Sequence, residues 1–378
     1  MQPSTEDRAY RKALLLALIV LPLFVGLLLF PADDGLRHVG LAFADPPRNW
    51  AEVYPYSQLE LHGEHELWLG HDLMLRAMGR IFEVLPASRL TRQFILTKLV
   101  SVALMIALLL LAVRRSGVLD NVVDGRSLLV AMAITALLLA QPTLRFALIR
   151  PFAWGTLFLL YAAHQRGIVR GSASAGALSL LYPHLAWMYA LPAAVAHALR
   201  GCRGFALGVV AVTAVGLVLQ PGSFWPLLWE LLRADGLRET IGPKIREFSP
   251  LVDHPLALGL VLAVALVAVP RLSPGARRLG VSQLMALLFA PLSFKYMRYF
   301  IDVELPLLFV AYGAELQRIV RPPTDRLLQR WAGLLRLRER TARPDGELRA
   351  GGRGLKIVLG VGYAALLVVV VLWGAARH

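Results

Sequence analysis

The chain has 378 residues, of which 57% are hydrophobic and only 17% charged, and its mean hydropathy is +0.59. A composition this apolar excludes a disordered chain and an ordinary water-soluble globular enzyme. Uncharged runs recur and approach the roughly 20 residues needed to cross a bilayer, which marks a polytopic membrane protein. The formal charge of +15 would suggest nucleic-acid binding in a soluble chain; here it reads as the positive-inside signature, and no nucleic acid is expected as a partner. The single cysteine, Cys202, excludes an intramolecular disulfide and a cysteine metal cluster.

Taken in chain order, Arg8, Arg11 and Lys12 precede the first apolar run, 13–30, which ends in Phe30-Pro31-Ala32-Asp33-Asp34 with no small-residue cleavage site. This predicts an uncleaved first span with a cytoplasmic N-terminus. A long outer stretch, 31–93, follows. Within it His65 to Leu85 repeats apolar side chains at helical spacings, which predicts an amphipathic helix on the outer interface. Further spans are expected at 94–113, 127–141, 152–165, 174–183, 184–199, 205–220, 255–270, 280–295, 300–316 and 356–373, giving an all-α polytopic protein of about 11 transmembrane helices. Pro183 divides 174–199, and a hairpin there is preferred to one broken helix. The hairpin keeps 317–355, rich in arginine, on the cytoplasmic side, so that the whole +15 excess lies inside. The second outer stretch, 221–254, carries Trp225 and Trp229 ahead of charged residues and predicts another interfacial helix. Residues 1–316 therefore form the transmembrane core, 317–355 a basic segment resting on the anionic inner leaflet, and 356–378 a final span and C-terminus.

Polar chemistry collects on the outer side. Asp33 and Asp34 follow the first span, with Arg37 and His38 three and four residues beyond Asp34. If Asp34 starts a short helix, both lie on its side of the turn. A carboxylate there could act as general base toward a hydroxyl while arginine or histidine holds a phosphate; helix capping is the plainer use of such aspartates. His62, His65, His71 and Asp72 form a further polar group. It could ligate a divalent cation, but with no HExxH pattern and with Leu67-Trp68-Leu69 between its members a solvated polar face is the preferred reading. Arg145 and Arg150 sit in a short outer turn against the positive-inside trend, and need a partner in a lipid headgroup or a phosphorylated substrate. His184 lies at the outer tip of the hairpin. Lys295 and Arg298, flanked by Phe294, Tyr296, Tyr299 and Phe300, make a cationic, stacking surface suited to a phosphate joined to a sugar or isoprenoid.

This layout resembles the GT-C superfamily of polytopic glycosyltransferases that use polyprenyl-phosphate-linked sugar donors. Asp33-Asp34 stands where those enzymes carry an acidic residue in the first outer loop. Lys295-Tyr296-Met297-Arg298-Tyr299 ahead of Pro306 is similar to the lysine–x–x–arginine–aromatic motif of some members. The resemblance implies sugar transfer to an acceptor at the outer face of the cell membrane. Asp34 or Asp33 would be the base, His38 would assist, and Arg37, Arg145, Arg150, Lys295 and Arg298 would hold the donor phosphate. No nucleotide is implied, and a divalent cation is left open. The expectation from a different class is a noncatalytic, lipid-binding scaffold subunit of an envelope-assembly complex.

Overall fold

The computed structural model describes residues 4–28, 33–44, 69–183, 185–219, 253 and 279–321, and these are helical with no strands. Helix α1 is Thr5–Leu28, α2 Asp33–Ala42, α3 Leu69–Phe82, α4 Arg89–Ser116 and α5 Gly125–Phe146. They are followed by α6 (Phe152–Ala162), α7 (Ile168–Leu181), α8 (Ala186–Leu199), α9 (Arg203–Val218), α10 (Val281–Lys295) and α11, which spans 297–321. Three of these, α1, α4 and α5, are long and apolar enough to cross a membrane. The expected spans at 255–270 and 356–373, the second outer stretch from 221 to 252 and most of the basic segment lie outside the described residues.

Caps explain why α4 and α5 run past the apolar limits expected for them. Ser88 starts α4 by accepting the Thr91 backbone N–H, and Gly117 ends it at φ +71°, a conformation cheap only for glycine. Asp124 caps α5 in a reciprocal box with Ser127. The amphipathic helix expected over His65 to Leu85 is observed as α3, shorter at its C-terminal end, with 65–68 outside the described residues.

Helix directions follow from pairwise contacts. Gly26 near the end of α1 abuts Val102 midway along α4, while Tyr10 near the start of α1 abuts Gly125, in the first turn of the helix that follows the C-terminal end of α4, so α1 and α4 are antiparallel. Helices α7 and α9 are parallel, because Gly171 lies beneath the Phe205 carbonyl and Gly216 beside Ser179. The turn at Gly201 (φ +76°) reverses the chain between α8 and α9. Helix α8 is therefore antiparallel to α7, and the chain also reverses after Tyr182, at the point where Pro183 predicted a break.

Two ends result. One gathers the start of α1, the α4–α5 loop, the α6–α7 and α8–α9 turns and the end of α11. There Arg321 pairs with Asp124 at 2.9 Å, and Gln317 donates to the Ser127 carbonyl at 3.1 Å. The other gathers α2, α3, the α5–α6 turn, the end of α7 and the α10–α11 junction. Between them a continuous apolar core runs through Leu104, Leu108, Leu139, Leu159 and Phe309.

Candidate functional site

The second end holds two polar clusters joined by one strained turn. The first is built where α2 crosses the opening of α3. Gly70 lets α3 start against the Leu180 carbonyl of α7, where any side chain would collide. That contact fixes His71 and Asp72 facing inward. The His38 Nδ1 lies 3.0 Å from Asp72 Oδ1, with His38 only 3% and Asp72 only 1% exposed. The His38 and His71 rings meet edge to face at 5.2 Å, and Trp154 Nε1–H donates to His71 Nδ1 at 3.0 Å. Because Nδ1 accepts, a neutral His71 carries its proton on Nε2. Burial, and then the neighbouring His38, hold His71 well below the ordinary imidazole range, although the nearby Ile149 backbone pulls the other way. His71 is therefore neutral at pH 7.

The second cluster is a buried ion group. Arg145, at the end of α5, grips Asp302 with both Nε and an Nη, the latter at 3.1 Å from Oδ2. Arg298, one turn before Asp302 on α11, reaches Oδ2 at 3.7 Å, and its guanidinium lies 5.0 Å from the Phe152 ring centre. Asp302 is 1% and Arg298 25% exposed, so Arg298 is the cation of this group nearer to solvent. Asp302 sits in a π turn, Phe300–Glu304, and the Thr156 hydroxyl donates to its backbone carbonyl at 2.8 Å. Turns of this kind recur at functional sites because they displace side chains from the regular helical face. Two residues on, the buried Glu304 accepts from the Ser293 hydroxyl at 3.4 Å.

The α5–α6 turn links the clusters. Ile149 is fully buried at φ +55°, a strained conformation for a β-branched residue. Gly35 of α2 fits against it; a Cβ there would lie 3.2 Å from the Ile149 Cδ1. Ser101 of α4 donates to the Ala147 carbonyl at 2.7 Å and ties the turn down. Arg150 follows Ile149, close enough to act on the charge of Asp302.

Several expectations need correction. Arg145 was expected to meet an external anion, but its partner is Asp302, because α11 carries that carboxylate across the end of α5. His71 and Asp72 were expected on a solvated polar face, but both are buried, since α2 and the turn cover the start of α3. The structure does bring His38, His71 and Asp72 together, and sets Arg145, Arg150 and Arg298 around Asp302. Asp33 and Asp34 form the first turn of α2 and Lys295 the last residue of α10, each described by backbone alone; His62, His65 and His184 lie outside the described residues. The ligand-type atoms of His38, His71 and Asp72 fall within 4.8 Å of one another. As arranged they do not suit a divalent cation, because a ligating histidine donates through its other nitrogen, whereas His71 Nδ1 accepts from Trp154. Sequence reading missed Trp154 and Ile149 altogether. It assigned no role to Asp302, although the i,i+4 spacing from Arg298 is visible in the sequence. Compared with family models, curated proteins and solved structures, the chain matches none.

Proposed function

We propose that the protein transfers a sugar from a polyprenyl-phosphate donor to an acceptor hydroxyl at the outer face of the cell membrane, with inversion at the anomeric carbon. The observation that carries this reading is the convergence of three arginines from two separate segments, Arg145 and Arg150 near the α5–α6 turn and Arg298 on α11, at the end of the helices where α2 begins with Asp33 and Asp34. Asp302 neutralises part of that charge and fixes the Arg145 guanidinium, so the group retains a cationic excess already oriented for a phosphate. Arg37 on α2 and Lys295 at the end of α10 would add to it.

In this reading the protein has about 11 spans, its N-terminus and its Arg321 end are cytoplasmic, and the site opens outward from the inner membrane. The base comes from α2, where Asp34, Asp33 and His38 are the candidates. It accepts the proton of the acceptor hydroxyl as that oxygen bonds to the anomeric carbon. The bond from that carbon to the phosphate oxygen breaks, and the arginines hold the charge left on the phosphate.

The test is transfer by protein purified in detergent, using radiolabelled undecaprenyl-phosphate-linked sugars with an envelope-lipid extract as acceptor. Transfer from at least one donor is expected, with Arg298→Ala raising the donor KM about 10-fold, as loss of a charge-assisted contact of about 1.5–3 kcal/mol implies. Binding of undecaprenyl phosphate without transfer would leave the noncatalytic scaffold, and absence of both would refute the proposal.

A further inference from the structure

Residues 83–88 join α3 to α4 in an elbow whose outer side is both apolar and basic. Along the exposed stripe of α3, Leu73, Ala77, Arg80 and Ile81 recur at i, i+4, i+7 and i+8, while the opposite stripe, with Asp72 and Leu75, is buried in the bundle. Val84, 82% exposed, and Leu90, 73% exposed, extend the apolar surface through the turn, and the exposed Phe94 and Leu99 carry it down α4. A continuous apolar surface of this kind on a helix long enough to cross a membrane is stable against hydrocarbon and costly against water. Its depth follows from α4. Arg92 and Arg114 stand 22 residues apart on that helix, about 33 Å at roughly 1.5 Å per residue, which matches a hydrocarbon core of about 30 Å. With Arg114 in one headgroup layer, Arg92 lies in the other, and Arg89 and the elbow lie there with it.

Charge selects the kind of lipid. From 73 to 98 the basic side chains are Arg76, Arg80, Arg89, Arg92 and Lys98, against the single carboxylate of Glu83. Among the described residues Arg80, Arg89 and Arg92 form no ion pair and no side-chain hydrogen bond, and the Nε–H of the half-buried Arg92 is shielded from water without an acceptor. Arg89 and Arg92 also stand at the opening of α4, whose first turn holds no acid, so the helix dipole adds to their charge instead of offsetting it. We propose that this elbow binds an anionic phospholipid of the surrounding bilayer, with the lipid phosphate on Arg89 and Arg92 and the acyl chains along Leu90 and Phe94. A zwitterionic lipid brings its own cation to the same arginines and leaves their charge unbalanced; a lipid with net negative charge neutralises it. The bound lipid holds the end of α3, and with it the helix that carries His71 and Asp72, at the membrane surface. This binding does not depend on the transfer reaction.

The experiment places the full chain in phosphatidylcholine nanodiscs containing a trace of phosphatidylglycerol with a photoactivatable diazirine in its acyl chain, and maps the cross-linked peptides by mass spectrometry. Cross-links should concentrate on the segment from Val84 to Phe94. Unlabelled phosphatidylglycerol should displace the probe there at about 30-fold lower concentration than phosphatidylcholine, which corresponds to about fivefold for each of the two arginines. Arg89→Gln combined with Arg92→Gln should abolish that preference, whereas Arg114→Gln combined with Arg115→Gln, at the opposite end of α4, should leave it, with near-ultraviolet circular dichroism as the control for folding. In the wild type, which needs no substitution, the preference should fall as salt rises. Equal displacement by both lipids, a preference that survives the Arg89 and Arg92 changes or is indifferent to salt, or an elbow without cross-links, as a protein partner covering it would leave, would each overturn the proposal. Displacement by undecaprenyl phosphate at lower concentration than by phosphatidylglycerol would overturn it in favour of a docking place for the donor. Absence of sugar transfer would refute the glycosyltransferase reading and leave this binding intact.

Discussion

The Arg145–Asp302 pair sets the stability of the site, and its removal has a calculable consequence. Asp302→Asn keeps the shape of the side chain but leaves Arg145, 4% exposed, as a buried cation without its counter-charge. Breaking a buried ion pair from one side costs about 3–5 kcal/mol, most of it the penalty of the stranded charge. Arg298→Ala removes a longer contact from a side chain that is 25% exposed, together with a cation–π contact to Phe152, and should cost only about 1–2 kcal/mol. Replacing both partners, Arg145→Met with Asp302→Leu, removes the fully buried cation together with its carboxylate, leaving only the more exposed Arg298 and Arg150 without Asp302, and should recover part of the loss. The assay is reversible unfolding in mixed micelles with increasing sodium dodecyl sulfate, followed by near-ultraviolet circular dichroism. Donor affinity should follow the opposite order, with Arg298→Ala the more damaging substitution. An Asp302→Asn protein within about 1 kcal/mol of wild type, or a double variant less stable than either single one, would refute the reasoning.

Burial pushes the Asp124 carboxyl up, but the hydrogen bonds from Ser127 and the charges of Arg321 and Arg126 outweigh it and hold its pKa below the usual carboxylate value. The stabilisation it gives is complete above that usual value, near about 4, and is lost as pH falls through the lower folded value; unfolding of Asp124→Asn followed through this window should lack that component of the pH dependence. Cys202 is the chain's single cysteine and lies in the turn at the Arg321 end, so a membrane-impermeant maleimide should label it only after permeabilisation. It should label Val84→Cys, at the opposite end, in intact cells, and labelling of Cys202 in intact cells would invert the orientation. At Ile149 the usual order of glycine and alanine should reverse. Glycine normally costs about 0.5–1 kcal/mol relative to alanine, but at φ +55° Ile149→Gly should be about 1 kcal/mol more stable than Ile149→Ala when both are unfolded by the same detergent titration.

What was legible in the sequence divides along the range of the forces involved. Helices were visible wherever an apolar run met a local stop signal, so the ends of α4 and α5 could have been read from Ser88, Gly117 and Asp124, whose capping acts within a turn or so. The reversal after Tyr182 was also legible, because proline terminates a helix locally and the charge ledger fixed the direction of return. The site divided differently. Aspartates after the first span, arginines in an outer turn and a late cationic, aromatic stretch all announced themselves by violating the apolar pattern around them. Their partners did not, because Arg145 and Asp302 are 157 residues apart and His38 and Asp72 are 34 apart. Nothing local distinguishes a carboxylate that meets an arginine across the bundle from one that meets water. The buried state of His71 and Asp72 had the same origin: α3 is amphipathic by its own periodicity, and only the crossing of α2 and the α5–α6 turn turned its polar opening inward. A polar group on such a helix can therefore be found from sequence, but whether it is solvated, paired or poised for chemistry is decided by the element that covers it.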